Sequence, residues 1–286
     1  MRQTANHTTR FAPSPTGWLH LGHALAAISA YEAAGGGNFL LRIEDLDRGR
    51  CRLEFEAGIV EDLTWLGLQW QQPVLRQSER SEAHRAALAT LDKAGLIYSC
   101  FCTRQEIVRE IERAGEAPHR SGEVVYPGTC RTLSRSECEM RKARGDPFAL
   151  RLDSRKAAAM TGALSFEELG QGPDGENGDV PVEPGVLGDI VLARKGLPAA
   201  YHLAVVVDDA FQDVSLVTRG NDLFASAHVQ RMLQAALGLP APLYAHHRLI
   251  LDADGSKLSK RDRSSTLRNI RQQGIDAAEI RRRIGL

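Results

Sequence analysis

Residues 10–43 read RFAPSPTGWLHLGHALAAISAYEAAGGGNFLLRI. The segment 10–12 closes a strand, Pro13 to Gly17 form a turn, and 20–34 reads as a helix. Glycines 35–37 end that helix, since glycine tolerates the left-handed exit conformation, and NFLLRI at 38–43 follows as a buried strand. Strand, helix and strand in succession open a parallel sheet, so the expected class is α/β.

Outward from this stretch, Ile59, Leu63 and Leu66 keep helical spacing, as do Leu88 and Leu91. From about 97 to 185 the alternation breaks into cysteines, short helices and GQGPDGENGDVPVEPG at 170–185. That last stretch holds too little apolar surface to offset its ordering entropy and is predicted to be a mobile loop. Strand signals return at 189–193, 202–207 (HLAVVV) and 214–218, and a helix is predicted over 222–237 with Asn221 as its cap. The expected organisation is a Rossmann-type parallel α/β domain (1–96 and 186–263), interrupted by an insertion at 97–185 and closed by a short helical segment at 264–286.

The 286 residues, 43% of them hydrophobic, suffice for one large domain or two modest ones. With 36 basic and 36 acidic residues there is no global cationic field to hold RNA or an anionic membrane, so nucleic-acid contact requires a local patch. No uncharged apolar run reaches 18 residues and no charged-then-apolar leader opens the chain, which predicts a cytoplasmic protein without a membrane partner. Five cysteines, three of them within 100–130, suit a reduced compartment and a metal better than a disulfide framework. Cys100 and Cys102 offer two thiolates on one turn, and Cys130 can close a structural tetrahedral site. By spacing alone, Cys138 and His119 compete for the fourth place, and free buried thiols without metal are the plainer alternative. Cys51 fits no cluster.

If the first helix begins near His20, then His20 and His23 share its first turn, where free backbone amides and the dipole favour an anion. Gly22 leaves no side chain between that backbone and a flat ligand. Lys257, Lys260 and Arg261 surround Ser259 in a segment suited to closing over a polyphosphate. Alone, the first pattern is an ordinary polar turn and the second a solvated basic one.

Together, in this order and about 235 residues apart, RFAPSPTGWLHLGHA and KLSKR resemble the paired HIGH and KMSKS signatures of class I aminoacyl-tRNA synthetases, in the glutamyl and glutaminyl branch. RIEDLD at 42–47 and AYHLAVVVDD at 200–209 are similar to the same branch's catalytic domain, so four motifs stand in register over 10–263. The resemblance implies ATP-dependent activation of L-glutamate, with His20, His23, Lys257 and Lys260 catalytic and with His20, Gly22, His23 and Lys260 on ATP. It places glutamate against Arg10, Phe11, Ala12, Pro13, Ser14, Glu44, Tyr201 and Arg219, and implies Mg2+ arriving with the ATP. Two arginines suit two carboxylates, and Glu44 suits the ammonium.

Full-length glutamyl enzymes continue past the lysine motif into an anticodon-binding region, for which residues 262–286 leave no room. The short arrangement with cysteines in its insertion resembles the truncated members of the branch, which glutamylate the queuosine base of tRNA(Asp). That likeness implies one structural zinc on Cys100, Cys102, Tyr126 and Cys130, a queuosine-bearing tRNA(Asp) partner, and a monomer. Rival readings are a short enzyme charging the tRNA 3' end and a non-catalytic tRNA-binding paralogue. Val205 stands where full-length members tend to carry an asparagine that contacts the amino acid, which implies weaker glutamate binding. The arginines at 261, 263, 268, 271 and 281–283 are either a basic face for tRNA phosphates or a solvated helix surface.

Overall fold

The computed structural model describes residues 6–114, 125–250 and 266–286. Strand β1 (Thr8–Phe11) leads through helix α1 (Leu21–Ala33) to β2 (Asn38–Ile43), and α2 (Leu53–Trp65) leads on to β3 (Gln71–Arg76). The three strands form a parallel sheet in the order β1-β2-β3, with Thr8 opposite Asn38 and Phe11 opposite Leu41, as the opening stretch predicts. Ala24, Ala27, Ile28 and Ala30 of α1 are buried in one core with Phe39, Leu41 and Ile43 of β2. Alanines on the inner face let the helix axis lie close to the sheet.

After α3 (Ser81–Lys93) come β4 (Ile97–Cys100), α4 (Arg104–Ala114), α5 (Arg135–Ala143), β5 (Ala149–Leu152), α6 (Ser154–Thr161), β6 (Ser165–Glu168), β7 (Gly178–Pro181) and β8 (Val191–Arg194). Then follow α7 (Tyr201–Phe211), β9 (Leu216–Gly220), α8 (Phe224–Leu237), β10 (Leu243–His247), α9 (Leu267–Gln272) and α10 (Ala277–Arg283). A second sheet runs β7-β6-β10-β9, with β9, β10 and β6 parallel, and a third, antiparallel one runs β4-β5-β8. The Ser215 amide donates to the Thr8 carbonyl at 3.0 Å and ties the start of β9 to β1. Their carboxyl ends thus lie together at the place where strand order reverses, the usual position of a ligand crevice in such sheets.

Three expectations are corrected. The 202–207 run is not a strand: it lies inside α7, whose Leu203, Ala204, Val205 and Val206 are all buried. A short continuous apolar run fits a buried helix as well as a buried strand, and here burial against α3 and α8 decides for the helix. The 170–185 stretch is not a featureless loop, because Gly178–Pro181 pairs antiparallel with β6 and buries Val180 beside Phe166 and Tyr244. Asn221 does not cap α8. It opens a 3-10 turn, Asn221–Leu223, that precedes the helix.

The expected insertion also shares its sheets with its surroundings: β6 and β7 join β10, while β8 joins β5. The predicted short helices after the lysine motif are α9 and α10, and both pack against the first sheet's core through Leu267, Ile270, Ile280 and Ile284. No helix among the described residues is long and apolar enough to cross a membrane.

Candidate active site and metal centre

A cavity of about 570 Å³ opens at the carboxyl ends of β1 and β9. Its walls bring together Arg10, Phe11, Ala12, Pro13 and Ser14 from β1 and the turn after it, and His20, Gly22 and His23 from the start of α1. Glu44 comes from the end of β2, Tyr201 from the first residue of α7, and Arg219 from β9. Residues scattered over some 210 positions of chain therefore face one space. Lys257, Lys260, Arg261 and Arg263 lie outside the described residues, as does His119.

The two histidines cap the helix they begin. The Gly22 amide donates to His20 Nδ1 at 3.1 Å, and the His20 amide donates to His23 Nδ1 at 3.2 Å. Both Nδ1 atoms are acceptors, so a neutral ring of either kind carries its proton on Nε2. The rings sit 3.9 Å apart between centroids, and the first turn's amides supply the partial positive charge that attracts a phosphate. A Cβ added to Gly22 would meet the His20 ring at 3.0 Å, which explains the glycine between the histidines.

At the other end of the cavity four charges alternate. Arg10 donates through Nε to Asp209 at 2.9 Å, Arg42 donates to the same carboxylate at 2.7 Å, and the Arg42 fork lies 3.5 Å from Glu44. Burial opposes ionisation of Asp209, but the two guanidinium groups outweigh it and hold the carboxyl below its usual range. Burial pushes Glu44 up against the pull of Arg42 and Arg10, and an incoming cation would favour its charged form. Arg42 and Asp209 escaped site assignment from sequence. The available signal was a fully buried arginine inside the apolar strand NFLLRI, which demands a buried partner.

Arg219 is also buried and braced. Its Nε donates to His246 Nε2 at 3.0 Å and its Nη1 to Gln230 at 2.8 Å, while Nη2 is buried without a partner among the described residues. An unpaired guanidinium nitrogen on the wall of a cavity is suited to a carboxylate. His202 beside Tyr201 is pushed down to about 4 by burial and by the charge of Arg219, which keeps it neutral. Val205 faces the core instead of the cavity. The described C-terminal arginines are partnered: Arg271 with Glu61 at 2.8 Å, Arg281 with Glu32 at 2.5 Å, Arg282 and Arg283 with Glu279, and Arg268 over Trp18.

Cys100, Cys102 and Cys130 form a second centre, their sulfur atoms all within 4.8 Å of one another. Cys100 and Cys102 come from the end of β4 and the turn beyond it, and Cys130 from a 3-10 turn that follows Gly128, held at φ 90°. The Tyr126 hydroxyl lies 3.7 Å from Cys102 and accepts from the Cys130 amide at 2.8 Å, so it belongs to the same cluster. Cys130 donates to Cys100, whose thiol is held well below its ordinary value, and burial raises Cys102. A set of three sulfurs, those of Cys100 and Cys130 buried and that of Cys102 partly so, with a phenol oxygen fits a four-coordinate soft or borderline cation, and the cluster could hold one metal ion. Cys138 on α5 stands outside it.

Comparison with known proteins agrees with this geometry. Residues 7–285 match the family described as tRNA synthetases class I (E and Q), catalytic domain. The chain is 48% identical to a glutamyl-Q tRNA(Asp) synthetase of Rhodobacter capsulatus, over 97% of its own length and 99% of that protein's. It is 40% identical to a glutamate–tRNA ligase of Aquifex aeolicus over 93% of its length, but spans 54% of that protein. Among solved structures, the glutamate-tRNA synthetase of Elizabethkingia anophelis superposes with a TM-score of 0.72 at 30% identity, covering 90% of this chain and 53% of that one. The chain belongs to the class I tRNA synthetases of the glutamyl and glutaminyl type. Within that family 97% of its length is matched by a protein named glutamyl-Q tRNA(Asp) synthetase, whereas the glutamate–tRNA ligase is covered to 54%.

Proposed function

We propose that the protein activates L-glutamate with ATP and transfers the glutamyl group to the queuosine base of tRNA(Asp). The observation that carries this reading is the cavity that gathers the histidine turn and the arginine-lined acid pocket, in a chain matched over 97% of its length by a relative of that name. In this reading the glutamate α-carboxylate attacks the α-phosphorus of ATP and pyrophosphate leaves. The reaction needs no protein nucleophile, since positioning and charge stabilisation do the work. His20 and His23 present Nε2–H donors to phosphate oxygens, and Gly22 lets the nucleotide approach the backbone. Arg219 offers its unpaired Nη2 to a carboxylate of the amino acid, Arg10 lies across the pocket, Glu44 receives the ammonium, and Tyr201 forms a wall.

Lys257 and Lys260 would neutralise the departing pyrophosphate, and Mg2+ would enter bound to the ATP phosphates. The metal of the second centre is zinc in this reading, held by Cys100, Cys102, Cys130 and Tyr126. It would fix the β4 end to the 126–130 segment, a structural role. A hydroxyl of the queuosine cyclopentenediol then attacks the acyl carbon of the glutamyl adenylate, forming the ester and releasing AMP and a proton.

The test is charging of tRNA(Asp) with and without queuosine. Glutamylation of the modified tRNA alone is expected; equal glutamylation of the unmodified transcript would instead favour 3'-end charging, the activity named for the longer relatives. A purified protein without glutamate-dependent pyrophosphate exchange would favour a binding paralogue.

A further inference from the structure

Behind the acid pocket lies a buried chain of polar groups that the reaction described above does not use. Arg219 Nε can only donate, so His246 Nε2, 3.0 Å away, is the acceptor. The neutral ring then carries its proton on Nδ1, which stands 2.6 Å from Glu168 Oε2. Glu168 is fixed in turn: its Oε1 accepts from the His246 amide at 2.8 Å and from the Gly170 amide at 2.9 Å. Neither the Glu168 nor the His246 side chain is exposed. Burial pushes the His246 ring down, in keeping with a neutral imidazole, while the bonds from His246 and Gly170 outweigh burial and hold the Glu168 carboxyl below its usual range.

We propose that Glu168 and His246 are positioning residues for substrate selection: they set the imidazole tautomer that braces Arg219 and so aim its free Nη2 at a carboxylate of the incoming amino acid. Gln230 holds the other terminal nitrogen, so the fork can neither rotate nor withdraw. Glu168 comes from β6 and His246 from β10, whereas Arg219 is on β9. Three adjacent strands thus deliver acceptor, relay and fork in register, with Arg219 opposite His246. The proposal rests on the reading of Arg219 as a glutamate ligand.

The experiment is glutamate-dependent ATP–pyrophosphate exchange by purified Glu168→Gln, His246→Asn, His246→Gln and Arg219→Lys proteins. In Glu168→Gln an amide donor faces Nδ1, which drives the ring proton to Nε2 and sets donor against donor at Arg219. Its KM for glutamate should rise on the order of tenfold, with kcat and the KM for ATP within about twofold, the pattern of lost substrate binding. His246→Asn has no acceptor at the Nε2 position and should behave alike, whereas His246→Gln places an oxygen near that position and should recover to within about threefold of wild type. A merely structural role would lower thermal stability and kcat without separating the two His246 variants.

Unchanged glutamate KM in Glu168→Gln and His246→Asn overturns the proposal. Unchanged glutamate KM in Arg219→Lys strikes at Arg219 as ligand, and absence of exchange in the wild type strikes at the activity itself. If the variants fail to fold, nitrogen NMR of the wild-type imidazole decides: a proton on Nδ1 of His246 supports the relay, and one on Nε2 overturns it.

Discussion

Arg42 occupies the fifth position of NFLLRI, with none of its side chain exposed, and donates to Asp209 and Gln212 of the α7 region. Removing one member of a buried ion pair strands the other, so Arg42→Ala is expected to destabilise the fold by about 3–5 kcal/mol, measured as a lowered urea midpoint. Asp209 keeps Arg10 as a partner, which places the loss towards the lower end. At this scale the motif residues were legible as a group, since Arg10, His20, His23, Glu44, Tyr201 and Arg219 all line one cavity. The residues that hold them were not. Arg42 and Asp209 are 167 positions apart, and Glu168 and His246 are 78 apart, so no local pattern marks them as partners.

Elements were read correctly where punctuation was strong and wrongly where burial overrode it. Proline and glycine bracket α1, and its observed start at Leu21 after the His20 cap follows from them. HLAVVV carries β-branched residues that fit a strand, yet it becomes helix because Leu203, Ala204, Val205 and Val206 are enclosed on every side. The β7 strand was hidden because Val180 and Val182 stand in a stretch dominated by glycine and acid residues.

The packing of α2 against α9 carries its own prediction. Asp62 is fully buried, no hydrogen bond reaches its carboxyl oxygens, and burial raises it to about 6 despite Arg271 at 3.8 Å. Its native value exceeds that of the unfolded chain, so between about pH 4 and 6 the native state holds the extra proton and stability falls as pH rises. Asp62→Asn should therefore gain ~1–2 kcal/mol at pH 7.5 and nothing at pH 4, compared by urea unfolding at the two values. A larger gain at pH 4 than at pH 7.5 would contradict this sign.

Across the whole molecule, the opening stretch correctly announced a parallel α/β fold, but how the middle of the chain is shared between two sheets lay beyond any local signal. The β4-β5-β8 sheet has few strands, and among the described residues the buried hydrophobic cluster of the cysteine region is small: Cys100, Ile107, Tyr126 and Cys130. A structural ion is expected to supply much of that region's stability. Wild-type protein should contain about one zinc per chain, and Cys130→Ser should lose the metal and melt at lower temperature, read by elemental analysis and calorimetry. Metal-free wild-type protein with an unchanged melting temperature would count against this role.

The antiparallel bridge between His20 and Thr266, together with the Leu267 amide bonded to the Leu19 carbonyl, fastens the start of α9 to the histidine turn. A ribosome making this protein releases the histidine turn well before its clasp. Nascent polypeptides halted anywhere before α9 therefore carry the histidine turn without the bridge that fastens it, and the fixing of that turn waits on the later segment.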